Sequence, residues 1–230
     1  GTVTRVSYQV LNLTHRDSHE HPEALVPGQF YDVSVKLNDC GHRFASGHAI
    51  RVAIGTSYWP MVWPSPELAT LTVDTANSSL SLPVRQADAG AMQLPPPAHG
   101  PATPITQLDP GTVRRWSSQD HVAGTTTYVT EGIGGLFGEG ILRFDDIGTE
   151  LSHSLKRELT IADNDPTSAQ YVLTQSYEMG REGWRIRIDS VTRMRSDRDT
   201  FYLTGELSVE ENGLLRAEKS WDQSFPRDLM

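Results

Sequence analysis

Only one of the 230 residues is a cysteine, Cys40. A lone thiol excludes an internal disulfide framework and a zinc site built from several thiolates, so the fold has to hold by burial. Positive charge is also short: 20 Lys and Arg against 29 Asp and Glu give a net charge of −9. That balance disfavours a surface built to neutralise phosphates and reads against nucleic acid as a partner. No apolar run approaches the roughly 18 residues a membrane helix needs, and no basic-then-apolar signal segment opens the chain, which therefore reads as soluble. The opening Gly1-Thr2-Val3, with no initiator methionine, has the look of a trimmed piece, so the location of the parent protein stays open. No amphipathic helical period of useful length occurs, and no Gly-x-Ser-x-Gly nucleophile elbow. The nearest approach, Gly55-Thr56-Ser57-Tyr58-Trp59, lacks the second glycine and a following helix, which makes Ser57 structural.

Apolar residues recur with period two, in β-branched and aromatic side chains, and strands are the reading almost everywhere. Val6, Tyr8 and Val10 begin the series, followed by Tyr31, Val33, Val35 and Leu37, then Ile50, Val52 and Ile54. Leu71 and Val73, then Leu80, Leu82 and Val84, read as a hairpin across the polar turn at 75–78. Residues 86–110 turn to Ala, Gly and Pro, including Pro95-Pro96-Pro97, and predict a surface loop or crossover. Alternation resumes at 113–116, 125–129, 141–144, 151–161, 171–177, 184–194, 201–209 and 214–221. Asn212-Gly213 between the last two is a hairpin signal, because both residues tolerate positive φ. The expectation is all-β: a two-sheet sandwich or jelly roll, with residues 1–230 as one domain.

Three stretches invite a chemical reading. His15-Arg16-Asp17-Ser18-His19-Glu20-His21 is rich in metal-ligating types. Its spacing fits neither a His-Glu-x-x-His helix nor a facial triad, and Arg16 adds competing charge, so a solvated polar loop is expected. Asp163-Asn164-Asp165 starts like a calcium loop but lacks the later glycine and glutamate, and reads as a turn. The glycines at 132, 134, 135, 138 and 140 around Ile133, Leu136 and Phe137 read as a hairpin tip, since no phosphate-loop lysine and no helix follows them. No metal or other cofactor is expected.

The stretch from Cys40-Gly41-His42-Arg43-Phe44 through Ile50-Arg51-Val52-Ala53-Ile54 to Tyr58-Trp59-Pro60-Met61-Val62-Trp63-Pro64 is more specific. A glycine-histidine turn, an Ile-Arg-Val-Ala-Ile strand and a Ser-Tyr-Trp-Pro loop together resemble the C-terminal domain of the X-prolyl dipeptidyl-peptidase and cocaine-esterase-like serine hydrolases. Val10 to Glu20 resembles the opening of that domain and Leu82-Pro83-Val84-Arg85 a later strand, while Trp221-Asp222 and Pro226-Arg227-Asp228-Leu229 resemble its closing segment. The pattern departs at Ala49 and Gly55, where relatives usually carry arginine and serine.

The resemblance implies a jelly roll of galactose-binding-domain type, packed on an α/β-hydrolase domain of the same polypeptide that carries the Ser, Asp and His triad. It implies no catalytic residue in this chain, which lacks nucleophile, base and oxyanion donors and is expected to be inactive alone. Peptides, esters and amides are all substrates of such a family. Tyr58, Trp59, Met61 and Trp63, pinned by Pro60, Pro64 and Pro66, are the candidate substrate-pocket wall or interdomain loop, with simple packing as the equal alternative. His42 and His48 flank the preceding turn as candidate orienting residues. A free-standing carbohydrate- or protein-binding sandwich is the second reading, with Trp116 and Trp184 as a glycan platform, and an oligomeric assembly domain a third.

Overall fold

A computed structural model describes residues 2–85, 94–134 and 139–230. Among the described residues nine strands follow one another in the second half of the chain: β1 Ile105–Asp109, β2 Thr112–Asp120, β3 Thr125–Ile133, β4 Ile141–Phe144, β5 Thr149–Ala162, β6 Asp165–Arg181, β7 Trp184–Ser196, β8 Thr200–Glu211 and β9 Leu214–Pro226. All pairings are antiparallel and belong to one sheet, ordered β1-β4-β5-β6-β7-β8-β9. Strands β3 and β4 meet β5 along different lengths, and β2 extends the sheet beyond β3. The all-β expectation is borne out; the one helical element among the described residues is a 3-10 turn at Leu13–His15.

The sheet follows directly from the period-two pattern. Register brings Leu151, Met179, Ile186 and then Leu155, Gln175, Ser190, Leu207 into rows on one face, and Tyr171, Met194 and Leu203 into another row of the same face. The opposite face is charged and crossed by ion pairs, Arg187 to Glu178 at 3.1 Å and Arg193 to Glu206 at 3.3 Å. Exposed pairs of this kind add little stability; their effect is to fix which face turns to water. The tight turns carry the conformations their residues permit. Asn212 and Gly213 have φ of 52° and 75°, as a type I′ hairpin requires. Asn164, at φ 58°, turns the chain between β5 and β6, so Asp163-Asn164-Asp165 is a turn, as expected.

The first hundred residues differ from expectation. Among the described residues of 2–104 no strand forms, although Tyr31 to Leu37 and Ile50 to Ile54 keep their alternation. Isolated links stand where ladders were expected: Asn38 N–H donates to the Tyr8 carbonyl at 3.4 Å, and Ser7 Oγ to the Asn38 carbonyl at 2.7 Å. The physical reason is that alternation specifies a face, not a partner; without a neighbouring ladder the apolar row stays in water. Val33, Val35, Ile50, Val52 and Ile54 are accordingly exposed. Within the proline-rich stretch at 86–110, residues 94–104 form no regular element and Ile105–Asp109 forms β1, while 86–93 lie outside the described residues. So do 135–138, most of the glycine-rich tip.

Candidate functional site

The best-built non-sheet feature is the Tyr58 to Pro64 loop, seated on one end of the sheet. The Tyr58 carbonyl accepts from the main-chain N–H groups of Met61 and Val62, at 2.8 and 3.0 Å, which closes the turn. Trp59 and Trp63 then meet edge to face, with ring centroids 5.5 Å apart at 78°. Trp63 continues edge-on to Phe201 of β8 at 6.3 Å. Its indole Nε1–H donates to Ser196 Oγ, the last residue of β7, at 2.9 Å.

Arg227 lies under this loop and is 2% exposed. Nη1 donates to Ser196 Oγ at 3.1 Å and to the Asp197 carbonyl at 3.0 Å; Nη2 donates to the Pro64 carbonyl at 2.7 Å. Nε donates to the Met230 carbonyl at 3.3 Å, and the guanidinium lies 4.8 Å from the Phe201 ring centroid. A buried cation needs its donors satisfied, and the planar fork reaches several carbonyls at once where a lysine ammonium would not. Burial pushes its pKa down, with Asp197 and Asp199 acting the other way; a guanidinium remains charged at neutral pH regardless. Asp197 in turn holds the β7–β8 turn. Its carboxylate accepts from Tyr202 OH and from the N–H groups of Asp199 and Thr200, and these bonds, Tyr202 first, lower its pKa.

The C-terminal tail closes the arrangement. The Leu229 carbonyl accepts from Asn12 Nδ2 at 2.9 Å and Thr14 Oγ1 at 2.8 Å. Residues 12–14, the Trp63 loop and the end of the sheet are thereby tied together through Arg227 to Met230. On the outer side Met61, 66% exposed, and Tyr58 face solvent. Tyr58 OH accepts from Arg5 Nη1 at 2.6 Å. The Trp59 Nε1–H is buried and has no acceptor among the described residues.

The other candidates are placed elsewhere. The His42 ring packs edge-on against Phe44 at 4.8 Å, and the His48 N–H closes a turn onto the Ala45 carbonyl at 3.2 Å. Neither imidazole hydrogen-bonds to the Tyr58–Trp63 loop among the described residues. Trp116 and Trp184 fall on opposite faces of the sheet, because Trp116 shares a row with Val129, Glu158, Val172 and Arg193 while Trp184 is an odd number of residues from Arg193. Arg114 covers one ring at 5.2 Å and Arg181 the other at 5.8 Å. In the histidine-rich stretch, His15 and His19 bring their Nδ1 atoms to 3.3 Å, and Arg16 is bound to Asp17, Glu23 and the Tyr31 ring face. Among the described residues no three metal-capable side chains converge, and no serine or cysteine is hydrogen-bonded to a histidine.

Sequence reasoning singled out Trp59 and Trp63 but assigned no role to Ser196, Phe201 or Arg227. A buried arginine is unexpected in general, and the single hint was the Pro226-Arg227-Asp228-Leu229 text.

These features define a class: a β-rich unit whose best-built feature outside the sheet is an aromatic loop on a buried cation. Residues 1–112 match the family described as X-Pro dipeptidyl-peptidase C-terminal non-catalytic domain, and over that stretch the resemblance read from the sequence is borne out. The match stops at Thr112, the first residue of β2, so the likeness seen in Trp221-Asp222 and Pro226 to Leu229 falls outside it. No curated protein and no solved structure matches the chain. No helix among the described residues is long and apolar enough to cross a membrane.

Proposed function

We propose that residues 1–230 act as one accessory unit on an α/β-hydrolase catalytic domain of the same polypeptide, in a serine hydrolase of the X-Pro dipeptidyl-peptidase or acyl esterase class. The observation that carries this reading is the asymmetry of the Tyr58–Trp63 loop. Its base is fixed by Trp63 and the Arg227 guanidinium, and its outer side chains, Tyr58 and Met61, are left in water. A rigid aromatic surface presented in this way suits docking at little entropic cost. In this reading the loop faces the catalytic domain beside its acyl or amide pocket, and Trp59 Nε1–H finds its acceptor there. The exposed apolar rows at 31–37 and 50–54 are covered by the same domain. No cofactor is required, because the triad supplies nucleophile and base and this unit supplies only a wall.

The test uses the full polypeptide with Met61→Asp and Tyr58→Ala. A raised KM or altered ratio between ester and aminoacyl-proline substrates, with unchanged unfolding of the accessory unit, is the expected result. Unchanged kinetics for both variants would remove the pocket-wall role and leave simple packing.

A further inference from the structure

The outer side of the aromatic loop carries a cation. Arg5 donates from Nη1 to Tyr58 OH at 2.6 Å, and its guanidinium carbon lies over the Tyr8 ring, 4.9 Å from the centroid. The two phenol rings stand 6.0 Å apart at 50°, so the guanidinium is held by one ring face and by the hydroxyl of the other. Both tyrosines are anchored through their own main chain. The Tyr58 carbonyl closes the loop onto the N–H groups of Met61 and Val62, and the Tyr8 carbonyl accepts from the Asn38 N–H at 3.4 Å. An arginine steadied at two points has less freedom left to lose when it binds than one on a free stem.

The donors at this point are not used up. A guanidinium has five N–H groups, and among the described residues the bond to Tyr58 is the only one Arg5 makes. No carboxylate pairs with it among the described residues, whereas Arg187, Arg193 and Arg216 on the sheet each have one. Because Tyr58 OH accepts from Arg5, its own proton remains to be donated, and no acceptor takes it among the described residues. Tyr8 and Tyr58 are each 38% exposed, which leaves the cluster open to solvent.

We infer that Arg5, held by Tyr8 and Tyr58, binds a carboxylate of the substrate, so that anionic peptides or half-esters are preferred over their neutral counterparts. This rests on the pocket-wall reading of the loop and names the substrate class for it. The ground is donor chemistry. A planar guanidinium beside a phenol O–H offers a carboxylate charge-assisted N–H donors and one hydroxyl donor together, whereas a neutral ester or amide oxygen gains much less from the charge. The chain as a whole carries −9 and repels an anion, so an uncompensated cation at the loop is what draws one to that spot.

The full polypeptide tests this with matched pairs: one aminoacyl-proline peptide as free acid and as amide, and one dicarboxylic half-ester with its neutral diester. Arg5→Gln keeps a donor for Tyr58 and removes the charge. It should raise KM for each anionic member about fivefold more than for its neutral partner, with kcat little changed, as for a charged hydrogen bond discounted for exposure. Arg5→Lys should recover part of the difference, and added salt should reduce it in the parent protein. An anionic-to-neutral KM ratio that Arg5→Gln leaves unchanged would overturn the proposal. Met61→Asp then separates the two readings: if it still alters KM, the carboxylate assignment alone falls, and if it does not, the pocket wall falls with it.

Discussion

Residues 2–104 and residues 105–226 carry the same kind of text and take different structures. Both alternate apolar and polar positions in β-branched residues, but among the described residues only the second region forms ladders. The contrast separates two requirements that are easily merged. Period-two patterning states which side chains share a face; a strand also needs a neighbour within reach, and in the second region hairpins supply one at once. Strands β5 to β9 are joined by Asp163-Asn164, Glu182-Gly183, a turn at 197–199 and Asn212-Gly213, so each strand finds its partner next in sequence. The first region is rich in proline and turn residues too, yet its segments contact the sheet through the Trp63 and Leu229 clusters rather than through ladders of their own.

Breaking the link between the two regions should give the largest effect. Arg227→Ala removes the cation that joins Pro64, Ser196 and Asp197, and should cost about 3 kcal/mol in urea unfolding, in the range for charged hydrogen bonds lost from a buried site. Arg227→Lys should recover only part of that, because an ammonium cannot span the same carbonyls. Trp63→Phe keeps most of the aromatic contact but leaves Ser196 Oγ without the indole donor; about 1 kcal/mol is expected by the same measurement. Gly213→Ala probes the sheet alone. With φ at 75° the added Cβ should cost about 1 kcal/mol, read as a lower melting temperature with the Trp63 environment unchanged in fluorescence.

A smaller effect should appear with pH. The Asp197 carboxylate has a lowered pKa, because Tyr202 and two main-chain N–H groups favour its charged form. A lowered folded pKa means the contribution is present above the ordinary value of about 4 and is lost as pH falls toward the lowered one. Acid titration of stability should therefore steepen below about pH 4, and Asp197→Asn should flatten that part of the curve. Least of all, Arg193→Ala on the charged face should change stability by no more than about 0.5 kcal/mol, as exposed ion pairs do.

Much of the second region was legible in the sequence. Each apolar run beyond 112 became a strand, and the Asn212-Gly213 hairpin took the conformation its residues allow. Tyr58 to Trp63 was also visible as a pinned aromatic loop. Its support was hidden, because Arg227 and Ser196 are distant in sequence and polar, and nothing in local pattern marks a polar side chain for burial beneath tryptophan. The lack of ladders among the described residues before Ile105 was hidden for the opposite reason: the pattern there is strong, and pairing is a property of neighbours that no single segment encodes.

Amide exchange on the chain alone, compared with the same residues joined to the catalytic domain, tests the account most directly. Residues 105–226 should be protected in both forms, whereas 31–37 and 50–54 should gain protection only in the joined form; equal protection of 31–37 and 50–54 in the isolated chain would contradict this.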